Sequence, residues 1–214
     1  MSANALAIYN IAAAAIGERS LATGEANELS RALDEVWNRG NGAIRYCLEQ
    51  GLWNHAVRTV QVDADEDTDP AFGLAYAFTV PDDFVRLVQI SLDEHFSYPL
   101  NEYEHERGFW YADSSPLYVR YVSDDDAYGA DMSLWPETFT LWVGYYLATQ
   151  VAPRLKSDLD FERLEKRTKR ALVDARSKDA LQEPTRFAPA GSWVNARLGG
   201  RGRRDRGSRS RLIG

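Results

Sequence analysis

Residues 76–91 read YAFTVPDDFVRLVQIS, and this stretch identifies the middle of the chain as β structure. Aromatic and β-branched residues on both sides of the Pro-Asp-Asp triplet predict strands over residues 72–80 and 84–92. Pro81, Asp82 and Asp83 are typical of a turn. We expect both carboxylates to lie in water, where nothing shifts their pKa, so that their role is turn formation rather than acid–base chemistry.

Further strands are predicted on either side of this stretch. Residues 56–62 partly alternate apolar and polar side chains, and residues 109–112 and 117–123 are again rich in aromatic and β-branched residues. Alternation of this kind is typical of a strand with one buried face. Residues 55–133 are therefore predicted to form a small antiparallel β insertion.

Helical periodicity predicts four helices outside the β-rich region. They span residues 4–16, 25–52, 136–151 and 158–181, with a kink near Asn41 and an end at Pro153. We expect these helices to form one bundle. The predicted fold class is α+β, mainly α: a four-helix bundle from residues 1–54 and 134–183, the β insertion, and an extended C-terminal tail over residues 184–214.

Charge divides the chain into an acidic body and a basic tail. The sequence has 25 Lys and Arg against 32 Asp and Glu, a net charge of -7. Residues 184–214 hold eight Arg against Asp205, which leaves -14 on residues 1–183. Because the tail has too few apolar residues to offset its ordering entropy, we expect it to be disordered until bound. Trp193 is either an anchor for a partner or packs back on the body.

Composition excludes several classes of protein. A single cysteine, Cys47, rules out an intrachain disulfide and a multi-cysteine zinc module. No apolar run approaches the roughly 20 residues that cross a bilayer. The net negative charge argues against a globally basic nucleic-acid binder. We expect a soluble protein made in a reducing compartment, with no membrane partner.

No arrangement of residues in the sequence points to catalysis. The histidines His55, His95 and His105 lack the spacing of a helical zinc site and are expected on the surface. The sequence contains neither a nucleophile elbow nor a glycine-rich phosphate loop that follows a strand. Cys47 lies on an apolar helix face and is expected in the core. We therefore predict a non-enzymatic protein without a cofactor or a metal ion.

Aromatic residues on the helix that begins near Pro136 are candidates for a subunit contact. Trp142, Tyr145 and Tyr146 cover more than one helix face, which indicates either burial against a partner or packing within one subunit. Both interpretations stay open at this point. Tyr145 is the residue that we assign to a subunit interface as a hypothesis.

Five segments of the chain follow one another in a recognisable order. They are Ala5-Leu6 to Ile16-Gly17-Glu18, Leu52-Trp53-Asn54-His55-Ala56, Tyr76 to Arg86, Leu117-Tyr118-Val119-Arg120-Tyr121-Val122, and Phe139 to Leu147-Ala148. Together they resemble the head-to-tail adaptor, or tail tubular protein A, family of short-tailed bacteriophages. A phenylalanine is common in that family where His55 stands here. The resemblance spans residues 3 to about 175, and the tail from Pro184 falls outside the shared pattern.

The resemblance implies a structural virion protein rather than an enzyme. In this family a ring, usually of twelve copies, lies below the capsid portal, carries the tail nozzle and lines the DNA ejection channel. The implied partners are the portal protein, the tail nozzle protein, other copies of the chain and double-stranded DNA in passage. The implied location is the virion tail, after assembly in the cytoplasm of a bacterial host. An acidic body is compatible with a DNA channel because negative walls repel phosphates.

We assign portal binding to the tail as a hypothesis, because arginines pair bidentately with acidic side chains and a tryptophan can anchor a contact. The residues are Arg186, Trp193, Arg197, Arg201, Arg203, Arg204, Arg206, Arg209 and Arg211. The alternative is a nucleic-acid-binding accessory protein that acts through this Arg/Gly-rich tail. A hydrolase with an unrecognised acidic pair is the third hypothesis.

Overall fold

The computed structural model describes residues 3–70, 73–155 and 160–182. Within these ranges the chain forms five α-helices and six β-strands. The helices are α1 (Ala3–Ala15), α2 (Glu28–Trp37), α3 (Gly42–Glu49), α4 (Glu137–Leu155) and α5 (Phe161–Ala180). The strands are β1 (Val57–Val62), β2 (Tyr76–Thr79), β3 (Phe84–Ser91), β4 (Glu104–Glu106), β5 (Phe109–Ala112) and β6 (Leu117–Ser123). No helix in the described ranges is long and apolar enough to cross a membrane.

The strands form two antiparallel sheets of three strands each. One sheet has the order β1-β6-β3 and the other has the order β2-β5-β4. The turn at Pro81 forms as predicted, because the backbone N–H of Phe84 donates to the Pro81 carbonyl at 3.0 Å. This turn does not join neighbouring strands, since β2 pairs with β5 while β3 pairs with β6. The chain therefore passes from one sheet to the other at Asp82 and Asp83.

A small apolar core lies between the two sheets. Leu117, Val119 and Tyr121 are alternate residues of β6, and all three are fully buried in this core. Phe78 of β2 and Trp110 of β5 meet them from the other sheet. Since alternate residues of a strand share one face, β6 has its odd-numbered positions in the core between the sheets.

The larger core lies among the helices and on the opposite face of the β1-β6-β3 sheet. Helix α4 packs against α1, α2, α3 and α5, and its Phe139 and Trp142 are buried in this core. Val122 of β6 is buried there as well, and Val85 and Val88 of β3 pack against it. The described elements are thus layered as helices, one sheet and the second sheet, and the middle sheet has apolar residues on both faces.

The prediction of a four-helix bundle with a small β insertion is wrong. The described chain has a mixed α/β fold with five helices and two three-stranded antiparallel sheets. The segment 25–52 forms α2 and α3 rather than one kinked helix. The φ angles of Gly40 and Gly42 are +59° and +88°, in the left-handed region, so the first helix ends before the second begins. The β1-β6-β3 sheet is a layer of the main core and not an addition to a completed bundle.

Two smaller predictions also differ from the structure. Helix α4 continues past Pro153 to Leu155, because a proline in the last turn removes one backbone donor and leaves the preceding turns intact. Strand β4 is absent from the sequence-based prediction, since its three exposed polar residues show no apolar alternation. The division of the chain at residues 54/55, 133/134 and 183/184 stays a prediction.

Candidate functional site

The carboxylate of Asp83 lies at the point where the chain changes sheets and is hydrogen-bonded to two strands of the β1-β6-β3 sheet. It accepts hydrogen bonds from Arg58 Nη1 at 2.8 Å, from Tyr121 Oη at 3.0 Å and from Ser123 Oγ at 2.5 Å. Arg58 lies on β1, and Tyr121 and Ser123 lie on β6. One carboxylate therefore connects the turn before β3 to both other strands of the same sheet.

A second arginine extends this network to the helices. Arg45 of α3 donates from Nη1 to the carboxylate of Asp124 at 2.5 Å and from Nη2 to the Phe84 carbonyl at 2.6 Å. The backbone N–H of Asp124 in turn donates to the Asp83 carbonyl at 3.1 Å. Because Arg45 binds both the Asp124 carboxylate after β6 and the Phe84 carbonyl of β3, charged hydrogen bonds as well as apolar packing hold α3 against the β1-β6-β3 sheet.

The environment of Asp83 shifts its pKa, contrary to the expectation that nothing would. Burial acts to raise the pKa, but hydrogen bonds from Ser123, Arg58 and Tyr121 outweigh burial and lower it. The pKa of Tyr121 is raised, first by burial and then by its hydrogen bond to Asp83. Asp83 is therefore ionised near neutral pH and already pairs with three donors.

This arrangement suits a structural junction rather than acid–base catalysis. A general acid or base works best when its pKa lies near the operating pH, and the shifts of Asp83 and Tyr121 move both groups away from neutrality. Ser123 donates to Asp83 without an intervening histidine, so the pair lacks the base that activates a serine nucleophile. The network joins secondary-structure elements, which is the role that the geometry supports.

His55 is half-buried, so the expectation of a surface position is wrong for this histidine, whereas His95 and His105 are exposed as expected. Both ring nitrogens are buried, and neither has a hydrogen-bond partner among the described residues. The ring lies edge-on to Phe139 of α4, with ring centroids 4.8 Å apart, and beside Trp53. Burial lowers the pKa of His55 to about 4, so the imidazole is neutral at physiological pH.

The segment that carries His55 is tied to the end of α5. The backbone N–H of Asn54 donates to the Asp179 carboxylate at 3.1 Å, and Asn54 Nδ2 donates to the Asp179 carbonyl at 2.8 Å. Arg176 also donates to the carbonyl of Gln50. These contacts link the second segment of the family resemblance to α5.

The other candidates for chemistry, a metal site and the Cys47 thiol, do not form a reactive arrangement in the described part of the chain. No group of three or more His, Cys, Asp or Glu side chains is arranged there to hold a metal ion. Cys47 is fully buried, as predicted, and burial raises the pKa of its thiol, which makes a nucleophilic thiolate unfavourable.

The aromatic residues of α4 pack largely within the subunit. Trp142 is buried in the helical core, and the ring of Tyr146 stacks on that of Tyr46 with centroids 4.7 Å apart. Tyr145 is half-buried, and the guanidinium of Arg167 from α5 lies over its ring at 4.5 Å. The remaining exposed part of the Tyr145 ring is at the junction of α4 and α5, and its assignment to a subunit interface stays a prediction.

The residues assigned to portal binding are outside the described ranges. These are Arg186, Trp193, Arg197, Arg201, Arg203, Arg204, Arg206, Arg209 and Arg211. Their role therefore stays a hypothesis from composition.

The acidic charge of the body is concentrated in the β-rich region. Between residues 55 and 133 there are 17 Asp and Glu against four Arg and no Lys, a net charge of -13. Counting charges by region rather than over the whole body reveals this excess. By contrast, the sequence around the residues that contact the Asp83 junction does not predict their role, because they reach it from distant positions. These residues are Arg45, Arg58, Tyr121 and Ser123.

A scan against protein-family models found no match to this chain, and a search of curated proteins found no match either.

Proposed function

We propose that the chain is a head-to-tail adaptor subunit of a short-tailed bacteriophage. In this proposal copies of the chain form a ring, twelve by analogy with the family, between the portal protein and the tail nozzle protein. The ring lines the channel through which double-stranded DNA leaves the capsid. The subunit has a structural rather than an enzymatic role, and the tail residues 184–214 bind the portal.

The main support for the proposal is that the segments of the resemblance contact one another in the folded chain. Segment 52–56 packs its tryptophan and histidine against Phe139 of α4. Segment 76–86 supplies Asp83, which accepts from Tyr121 of segment 117–122. Arg86, at the end of segment 76–86, donates to the Glu49 carbonyl of α3 at 3.0 Å. Trp53, Val122 and Phe139 also belong to one buried core, and Val85 packs against it. Four separate parts of the resemblance thus contribute to the same core, as expected if they are the framework of a shared fold.

Charge gives independent support. The β-rich region has a net charge of -13, and a wall of carboxylates repels phosphates and keeps DNA from adhering during passage.

The test is binding of the full-length chain to the portal protein of the same virus, followed by electron microscopy of the complex. We expect a ring on the portal for the full-length chain and no ring after deletion of residues 185–214. The circular dichroism spectrum of the deletion variant should show that the helices and strands of the remaining body are retained. Trp193→Ala is the matched variant, because it removes the proposed anchor while leaving all eight tail arginines in place.

Two outcomes contradict the proposal. A full-length chain that never binds the portal contradicts the adaptor function. A full-length chain that instead binds DNA, with affinity lost both in the tail deletion and at raised salt, favours the nucleic-acid-binding alternative.

A further inference from the structure

The exposed face of α5 carries a basic stripe of three arginines. Leu164 and Ala175 are buried on the face that packs against α4. Arg163, Arg167 and Arg170 recur at intervals of four and three residues, so they share one face of the helix. All three are exposed. Arg163 and Arg170 lie on the side of α5 away from Leu164 and Ala175, whereas Arg167 lies at the edge of the stripe, over Tyr145 of α4. Asp174 is an exposed acid on the same face.

Two of these arginines have no acidic partner in the subunit. Within the described residues, no carboxylate lies at ion-pair distance from Arg163 or Arg170, whereas Lys166 pairs with Glu162 at 3.3 Å and Arg167 covers Tyr145. Uncompensated guanidinium groups on a rigid helix are pre-organised for carboxylates that approach from outside.

Exposed apolar side chains accompany the basic stripe. Val173 is 63% exposed at the edge of this face, and Leu181 is 81% exposed at the end of the helix, in line with Arg163. Apolar side chains that stay in water next to arginines are typical of a protein–protein contact, in which they become buried. A phosphate backbone offers them no such burial, which favours a protein partner over DNA.

The surface of opposite charge is on the same chain. The loop after β1 carries five carboxylates between residues 63 and 69. Glu66, Asp67 and Asp69 are exposed there, and no Lys or Arg among the described residues forms an ion pair with any acid of this loop. Asp65 is different, because its carboxylate accepts from Thr68 and Thr79 and so holds the loop against β2.

We propose that the exposed face of α5 docks the β-rich region of a second copy of the chain through this 63–69 loop. The inference rests on the proposed ring, because a closed ring needs two different complementary patches on every subunit. The basic stripe and the acidic loop are such a pair, and the exposed Val173 and Leu181 supply apolar area at the same contact. Charge also sets the direction of assembly, since two stripes or two loops repel each other.

A charge swap on the full-length chain tests this contact. The variant Arg163→Glu/Arg170→Glu makes the stripe acidic, and Glu66→Lys/Asp69→Lys makes the loop basic. Each variant alone should weaken self-association by about tenfold or more in sedimentation velocity at low ionic strength. An equimolar mixture of the two should assemble again when the variants alternate, because each contact then joins either two unaltered surfaces or the acidic stripe to the basic loop, which are again opposite in charge.

The matched control is Arg31→Glu/Arg39→Glu, which changes the net charge by the same amount at exposed sites on and just after α2 rather than on α5. This control should assemble like the wild-type chain. The proposal is overturned if the stripe variant assembles normally, if the mixture stays dissociated, or if the wild-type chain is monomeric at low ionic strength. It is also overturned if the stripe variant loses binding to double-stranded DNA but keeps self-association. Portal binding is measured separately on the same proteins. If the chain binds the portal but its self-association is unaffected by the charge reversals, only the proposed contact is contradicted, and not the adaptor function.

Discussion

Arg58 Nη1 on β1 lies 2.8 Å from the Asp83 carboxylate, 25 positions away at the turn between the two sheets. The same carboxylate accepts from Tyr121, whose ring is fully buried between the sheets. Arg58 also lies over the ring of Tyr128, 5.3 Å from its centroid. This pair therefore connects the core between the sheets with the loop that leads back to α4. Because Arg58 lies on β1, Tyr121 on β6 and Asp83 in the turn before β3, the pair forms only when the sheet is assembled.

Asp83→Asn should lower the free energy of unfolding by about 1–3 kcal/mol, because Tyr121 and Ser123 lose their ionised acceptor and Arg58 keeps only Asp125, at 3.8 Å, as a counter-charge. Urea denaturation followed by circular dichroism measures this loss. The control is Asp82→Asn, since Asp82 is exposed on the same turn. Equal stabilities of the two variants would show that the Asp83 network does not hold the sheet.

The lowered pKa of Asp83 also predicts a pH dependence. Its unfolded-state value is 3.8, so the contribution of Asp83 to stability is present above that pH and is lost as the pH falls through the lower folded-state pKa. Asp83→Asn removes the titrating group. The difference in stability between wild type and variant should therefore shrink in acid, which denaturation at a series of pH values measures.

His55→Phe should raise the free energy of unfolding by about 1–3 kcal/mol at neutral pH, because it replaces two buried, unpartnered nitrogens with apolar atoms. The variant should also remove a dependence of the free energy of unfolding on pH. Since the folded-state pKa of His55 is about 4 against 6.5 when unfolded, the unfolded chain binds more protons in that window, and wild-type stability falls as the pH is lowered through it.

Thermal denaturation at pH values between about 4 and 6.5 measures this dependence. The total change in the free energy of unfolding over that range is on the order of 3 kcal/mol. His95→Gln is the control, because His95 is an exposed histidine and its replacement should leave the pH dependence in place. A pH dependence that persists in His55→Phe would mean that another group titrates there.

Gly144→Ala should destabilise the fold by roughly 1–2 kcal/mol, although alanine is the better helix former. An added Cβ at Gly144 would lie 2.5 Å from Ile11 Cγ2 and 2.8 Å from Ile11 Cβ, where α1 crosses α4. Ala14→Gly at an exposed position of α1 measures the helix-propensity part by itself. A Gly144→Ala protein that is more stable than wild type would show that α1 can move away without cost.

Tyr145→Glu should weaken ring assembly while leaving the subunit folded. The new carboxylate would lie near the Arg167 guanidinium that now covers the ring, so the α4–α5 contact keeps an attractive pair. Analytical ultracentrifugation of the subunit and electron microscopy of rings report the effect. Tyr145→Phe, which keeps the ring, should assemble normally; full rings from Tyr145→Glu would exclude this residue from the interface.

Much of the local structure was predictable from the sequence. Strands β5 and β6 have the predicted bounds, the turn at Pro81 forms, and Cys47 is buried. Each of these depends on periodicity or turn chemistry within a few residues, which a single sequence displays directly. The division of charge between the β-rich region and the tail is likewise a property of the sequence alone.

Only the tertiary structure decided which strands are neighbours and what Asp83 does. A period-2 pattern shows that a strand has a buried face, but the backbone hydrogen-bonding groups are the same in every strand and do not identify a partner. Arg58, Tyr121 and Ser123 reach Asp83 across 25, 38 and 40 positions. A carboxylate in a Pro-Asp-Asp turn is solvated in the isolated segment; its pKa and its role as a junction arise because folding brings these three donors to it.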